Sequence, residues 1–415
     1  MTGEKRILIL TSDAGFGHRS AANAIAAALQ ETRGDRCVVE IVNPLEDKRV
    51  PTTLRKRQTD YDRIVREMPN LYRFGYRASD APVPSAIAER ALTVMLFEAM
   101  HDIVQQHRPD AIVTTYPLYQ APLGAIFALS RHNIPLLTVV TDLATVHRLW
   151  FYDAVDLCLV PTSTVRELAI ASGLFPDEVQ ITGIPVHPNF AREDREPVAI
   201  RAALGWQPDL TTVLAVGSKR VRHLGEVLRA LNHSGLPLQL VAVAGGDEEL
   251  YGEFQSTEWH TPTHVYNFVE NMPTLMHAVD CVVCKAGGLI VTESLACGLP
   301  LLLVDVLPGQ ETGNAEFVVK GGAGELGEKP IDVLEIMYHW LDQGGARLAQ
   351  HAQNARRLGR PRAAYDVAEL AWAAAERGPH TKTGSKIPGR LKLIALLKRH
   401  GVPWRDKRLS GPEDS

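Results

Sequence analysis

The chain reads as two doubly wound α/β domains facing each other across a cleft. Three observations predict this. Short apolar runs alternate with helix-like segments in both halves of the sequence, as in a parallel sheet covered on both faces. Several of those runs end in glycine or a polar loop that opens a helix. Between the halves lies GIPVHPNFAREDREPV (183–198), three prolines and a charge cluster without periodicity, which suits a linker.

In order, RILILTSD (6–13) is a buried-type strand, AGFGH a glycine turn and RSAANAIAAALQE an Ala-rich helix; VVEIVNP is the second strand. From Thr52 to about Gln106 the pattern is helical and charged. AIVTTYP (111–117), LLTVVTD (136–142) and LCLVPT (157–162) are further strands. A second series follows: TTVLAVGS (211–218), LQLVAVAGG (238–246), HVYNFV (264–269), CVVCK (281–285) and LPLLLVDV (299–306). Helical segments from about Asp332 to Arg377 close the folded part. The expected boundaries are a first domain over 1–187, a linker over 188–207, a second domain over 208–345, closing helices over 346–377 and a basic tail over 378–415.

With 415 residues, 45% apolar and 22% charged, the chain can fill two cores, which excludes a disordered chain or a disulfide-stapled mini-protein. No apolar run reaches the ~18 residues of a membrane span. The start, MTGEKRILILTSD, lacks the apolar stretch of a signal peptide. Cys37, Cys158, Cys281, Cys284 and Cys297 sit in apolar surroundings, as buried thiols of a reducing cytosol do. The net charge of −4 is uneven: from Arg377 to Arg408 ten Lys and Arg face one Asp, a local +9 that leaves −13 elsewhere. Such a tail suits an anionic membrane surface. No nucleic-acid-binding motif accompanies it.

Two sites carry chemistry. SDAGFGH (12–18) follows a strand and opens a helix, but Ser20 stands where a dinucleotide fingerprint needs its third glycine. Gly15 and Gly17 would let a substrate approach. His18 near Asp13 could accept a hydroxyl proton or simply cap the helix. In the second half, VDCVVCKAGGLIVTESLACGLPLLLVDVLPGQETGN (279–314) ends a strand at Lys285 and opens a helix with Gly287 and Gly288. Free amides there suit a pyrophosphate, and Glu293 can accept from a ribose diol. Gln310, Glu311 and Asn314 can meet sugar hydroxyls. TDLATVHRLW (141–150) places His147 and Trp150 in a loop facing the expected cleft, or in the core as a buried Trp with a satisfied His. Cys281 and Cys284 lie at strand spacing with no second ligand pair, so no metal site is expected.

The ordered set SDAGFGHRSAANAI, TDLATVHRLWF, GIPVHP and KAGGLIVTESLACGLP…PGQETGN resembles the monogalactosyldiacylglycerol synthase and processive diacylglycerol glucosyltransferase group of glycosyltransferase family 28. The likeness spans roughly residues 5–330. It implies the GT-B fold, with lipid acceptor on the first domain and nucleotide on the second. It also implies inverting transfer of a hexose from a UDP-sugar to the 3-hydroxyl of diacylglycerol, without cofactor or metal, on the inner face of the cell membrane. By that resemblance His18 is the candidate base, with Asp13 and His147 beside it, and Gly15, Gly17, His147 and Trp150 lie on the acceptor side. Gly217 and Ser218 would line the phosphates, although VGSKRVRH lacks the repeated glycines of several relatives. Phe268 and Val269 would frame the uracil, Gly287 and Gly288 the diphosphate, Glu293 the ribose, and Gln310, Glu311 and Asn314 the hexose. The first and last motifs resemble the galactose-transferring members more than the glucosyl ones. Alternatives are UDP-glucose as donor, another lipid acceptor, a UDP-sugar 2-epimerase, or a non-catalytic UDP-sugar sensor at the membrane.

Overall fold

The computed structural model describes residues 3–13, 16–52, 55, 82–130, 133–193, 195–219, 221, 223–307 and 311–380. Gly15, Gln310, nearly all of the aromatic-basic segment 51–77 and the tail beyond residue 380 lie outside the described residues.

The chain forms two compact units. The first takes in the chain to His187 and again from Ala363; the second is Pro188–Arg362. In the first, strands β1 (Lys5–Leu10), β2 (Cys37–Val42), β3 (Ala111–Thr114), β4 (Leu136–Val139), β5 (Leu157–Val160) and β6 (Val179–Ile181) make one sheet in the order β2-β1-β3-β4-β5-β6. Every pairing is parallel. β3, β4 and most of β1 are buried from end to end, which is why they read as apolar runs rather than alternating ones.

One face of this sheet is covered by helix α1 (Phe16–Arg33), whose Ala21, Ala22, Ala24, Ile25, Ala28 and Leu29 are buried. The other face packs against α2 (Pro82–His107) and α3 (Gln120–Leu129), through residues such as Leu96, Phe97 and Leu123. Helix α4 (Ser163–Ala171) links β5 to β6.

In the second unit, β7 (Thr211–Val216), β8 (Leu238–Val243), β9 (Thr263–Tyr266), β10 (Cys281–Lys285), β11 (Leu301–Asp305) and β12 (Gly324–Leu326) are ordered β12-β11-β10-β7-β8-β9. All are again parallel. Read from β9, this is the strand order of a dinucleotide-binding sheet. Its helices are α5 (Pro197–Ala203), α6 (Leu224–Asn232), α7 (Glu248–Ser256), α8 (Met272–His277), α9 (Gly288–Ala296), α10 (Thr312–Lys320) and α11 (Pro330–Leu358). α11 is broken at Asp342–Gly345, where Gln343, Gly344 and Gly345 take positive φ.

Two boundaries differ from the sequence reading. Most of the expected linker is bound to the second unit. Arg201 of α5 is buried and donates to Ala278 O at 2.7 Å, to Asp280 Oδ2 at 2.7 Å and to Pro208 O at 3.0 Å. The expected closing helices divide: α11 stays with the second unit, whereas α12 (Ala363–Arg377) joins the first. Small residues explain the latter, because Ala364, Ala368, Ala371 and Ala375 are buried in the same cluster as the alanine face of α1. The Arg33 guanidinium lies 5.1 Å from the Trp372 ring and pairs with Glu369.

The five cysteines are free thiols and four are buried. Burial pushes Cys284 up to about 12, well away from any thiolate chemistry. No helix among the described residues is long and apolar enough to cross a membrane.

Candidate active site

In an open parallel sheet the crevice lies beyond the strand ends where the order reverses. In the first unit that point falls between β1 and β3. The loop after β1 leads into α1, and His18 sits in its first turn. The Thr115 hydroxyl, just past β3, donates to His18 O at 3.0 Å and can accept from the Thr11 hydroxyl at 2.9 Å, so the two loops are stitched together. The buried Tyr119 hydroxyl adds a bond to Thr11 O at 2.9 Å.

The His18 ring meets Tyr116 edge-on at 4.9 Å between centroids and lies 6.0 Å from Trp150. Its Nδ1 is 2.7 Å from Thr141 Oγ1, beyond the end of β4. Burial lowers its pKa to about 4, so the imidazole is neutral at pH 7. A Cβ at Gly17 would meet no described atom within 4 Å beyond its chain neighbours and its own helix backbone, so that side of the turn is open among the described residues.

Asp13 is not the partner of the His18 ring. It takes two bonds from Arg19, Nε at 2.7 Å and Nη2 at 3.0 Å, and one from Asn43 Nδ2 at 2.9 Å. The Arg19 bonds lower its pKa and keep it ionised. Trp150 takes the buried one of its two expected places. It is 1% exposed, and its indole donates to Asp142 Oδ2 at 2.7 Å, so it braces the loop from inside. Burial raises Asp142 to about 6 against that bond. His147 is buried too, and its Nδ1 accepts from Leu149 N at 3.2 Å as the cap of a short 3-10 turn.

In the second unit the order reverses between β7 and β10. Gly217 follows β7 in a space where a Cβ would fall 2.6 Å from Leu250 Cδ2 and 3.0 Å from Val243 O. Its neighbour across the turn, Gly245, has φ +69°, and a Cβ there would strike Gly217 O at 2.1 Å. Only glycine lets these two loops touch. Ser218 is half-buried beside them.

After β10, Gly287 caps α9 and Gly288 begins it; intrahelical bonding starts with Val291 N to Gly287 O at 3.1 Å. The amides of residues 288–290 are therefore the free donors of a helix start. Lys285 folds over this turn, with Nζ 3.2 Å from where a Gly287 Cβ would lie. Glu293, half-buried further along α9, is raised by burial to about 8, and no described residue hydrogen-bonds its carboxyl. Phe268 is 69% exposed on the loop after β9, with Val269 half-buried beside it.

Glu311 and Asn314 are turned inward. Glu311 pairs with Lys285 and accepts from Leu307 N at 3.0 Å, while Asn314 Nδ2 donates to Ala286 O at 3.0 Å. They fasten the loop after β11 to the glycine turn, a role their position in GQETGN did not reveal. No group of three or more His, Cys, Asp or Glu among the described residues could hold a metal ion.

Comparison with known proteins decides the family. Residues 18–186 match the monogalactosyldiacylglycerol (MGDG) synthase model, and residues 211–369 match the glycosyltransferase family 28 C-terminal domain. The chloroplastic MGDG synthase of Spinacia oleracea is 32% identical over 88% of this chain and 71% of its own length. The chain belongs to the MGDG synthase family. MGDG synthase 1 of Arabidopsis thaliana is 30% identical over 88% of this chain and 70% of its own. Solved structures share the GT-B fold with this family member at low identity. Acinetobacter baumannii MurG has a TM-score of 0.56 at 16% identity, covering 89% of this chain and 99% of MurG. Anabaena HepE in complex with UDP-glucose has 0.53 at 15%, covering 90% and 99%.

Sequence reading missed Thr141 and Lys285. Both lie at strand ends close to features that drew attention instead, the His147–Trp150 loop and the glycine pair.

Proposed function

We propose that this protein transfers galactose from UDP-galactose to the 3-hydroxyl of 1,2-diacylglycerol, with inversion, giving a β-galactosyl lipid. The observation that carries this reading is the pair of family matches. An MGDG synthase model covers the first unit from His18 onward, and a family 28 C-terminal model covers the second. Each match contains a switch point whose chemistry suits its half of the reaction.

On the donor side, Phe268 and Val269 frame the uracil and Glu293 accepts from the ribose hydroxyls. The diphosphate lies on the amides opened by Gly287 and Gly288, near Gly217 and Ser218, with Lys285 as a cation. Gln310 reaches the hexose; Glu311 and Asn314 shape its loop. On the acceptor side, His18 Nε2 takes the proton of the lipid hydroxyl as its oxygen bonds to C1 of the sugar. The bond from C1 to the phosphate oxygen breaks, and its electron pair leaves with UDP. A single displacement inverts the anomeric centre, and helix amides stabilise the leaving charge. This scheme uses no cofactor and no metal.

The acceptor is a lipid, so the enzyme works at a membrane surface, on the cytoplasmic face of the cell membrane. The local +9 from Arg377 to Arg408 and the aromatic-basic segment at 51–77 support that placement. The test supplies diacylglycerol in neutral or anionic vesicles, with EDTA, and offers UDP-galactose or UDP-glucose to the full chain and to a chain ending at residue 377. β-Galactosyl diacylglycerol as main product, made faster on anionic vesicles by the full chain, is expected. A glucosyl product would overturn the donor. Loss of activity in EDTA would overturn the metal-free scheme. Equal rates on both vesicle types would overturn the role of the tail.

A further inference from the structure

We propose that Thr141 is a positioning residue: its hydroxyl accepts the Nδ1 proton of His18 and so leaves Nε2 as the nitrogen that takes the acceptor's proton. This rests on the reading of His18 as the base.

A neutral imidazole has one N–H and one lone pair, and only the nitrogen with the lone pair can act as a base. A carboxylate usually decides which is which, because it can only accept. Here the two carboxylates closest in sequence to this constellation are occupied. Asp13 holds Arg19 and Asn43, and Asp142 holds the Trp150 indole at 2.7 Å. The group at Nδ1 is the Thr141 hydroxyl, 2.7 Å away. The Thr115 backbone also faces the ring and favours its protonated form, and the side-chain hydrogen bond to the ring is made at Nδ1 rather than at Nε2.

A hydroxyl can donate or accept. If Thr141 donated to Nδ1, the proton would sit on Nε2, and the nitrogen left for a substrate could not receive one. If it accepts from Nδ1–H, Nε2 carries the lone pair, and the same bond persists when the ring becomes imidazolium. Thr141 is well placed to hold one geometry. It is 8% exposed, and the preceding residue is tied to the sheet by Val140 N to Leu159 O at 2.9 Å. The ring is further confined by Tyr116 at 4.9 Å. A hydroxyl stabilises the imidazolium less than a carboxylate would, consistent with a ring that burial keeps neutral.

The experiment labels the protein with [15N]histidine and reads the ring tautomer by long-range 15N–1H correlation, with His18→Gln identifying the His18 signals. The Nδ1–H pattern is expected in the wild type, giving way to Nε2–H or a mixture in Thr141→Val. In parallel, Thr141→Val should lower kcat roughly ten- to a hundred-fold with UDP affinity unchanged, and Thr141→Ser should restore most of it. An Nε2–H tautomer in the wild type overturns the proposal, as does wild-type kcat in a Thr141→Val protein that still binds UDP. Full activity in His18→Ala would instead overturn the base itself, so the two failures are distinguishable.

Discussion

The two units share an architecture and differ in what they place at the point where strand order reverses. In the first unit, the crevice between β1 and β3 holds one neutral imidazole among hydroxyls and aromatic rings, with the nearby charges already paired. In the second, the crevice between β7 and β10 holds a glycine-opened helix, the Lys285–Glu311 ion pair and a desolvated carboxyl. The same fold thus builds a proton acceptor on one side and a charge-recognising site on the other. Fold alone specifies neither; the side chains at the strand ends do.

That contrast predicts effects that separate cleanly. The largest belongs to His18. His18→Ala should lower turnover by ~10²–10⁴-fold while UDP affinity, measured by calorimetry, stays unchanged. A loss of UDP binding in this variant would mean that the units do not divide the work in this way. Next comes Glu293. Removing a charge-assisted hydrogen bond costs ~1.5–3 kcal/mol, so Glu293→Ala should weaken UDP roughly ten- to a hundred-fold. Its pKa of about 8 adds a signature. The ionised form is the better acceptor, so UDP should bind more tightly as pH rises from 6 to 9, with proton release on binding. Glu293→Gln should flatten that dependence.

The sequence made most of this frame legible. The long buried strands read as apolar runs, and both glycine turns stood out by spacing. β6 and β12 escaped because three residues carry no periodicity. The linker was misjudged because Arg201 looks like a surface charge until Ala278 O, Pro208 O and Asp280, distant in sequence or hidden in a loop, close around it. Within the candidate site, His18 and Glu293 drew attention because each follows a glycine turn that opens a helix. The partners did not. Asp13 is nearer to His18 in sequence than Thr141, which lies 123 residues away. Proximity along the chain therefore selected the wrong neighbour. Glu311 and Asn314 differ in the opposite sense: their polarity suggested a ligand, and the bonds they make are to Lys285 and the backbone.

Lys285 sharpens the donor side further. It stands over the glycine turn while paired with Glu311, so removing it alone would strand a buried carboxylate. The informative comparison is Lys285→Met combined with Glu311→Gln against Glu311→Gln alone. If the ammonium meets the diphosphate, the double variant should bind UDP about ten-fold more weakly than the single one, with uridine affinity unchanged. An equal loss for uridine would show that the lysine holds the turn and not the phosphates.

The smallest effects are on stability, where the two units should respond to pH with opposite sign. His18 has its folded pKa lowered from 6.5 to about 4, so between those values the unfolded chain binds more protons. Stability of the first unit therefore rises with pH through that window and is lost as pH falls toward 4. Glu293 has its folded pKa raised from 4.5 to about 8, so there the folded protein binds more protons. Stability of the second unit is fullest below 4.5 and declines as pH climbs through 8. Calorimetric unfolding should show this as a Tm gain of a few degrees for Glu293→Gln at pH 9 that vanishes at pH 5. For His18→Gln the gain should appear at pH 5 and vanish at pH 8. Should the two Tm gains change with pH in the same direction, the two groups would not give stability opposite pH dependences. The contrast between a half-buried neutral base and a half-buried carboxyl awaiting a ligand would then lose its physical footing.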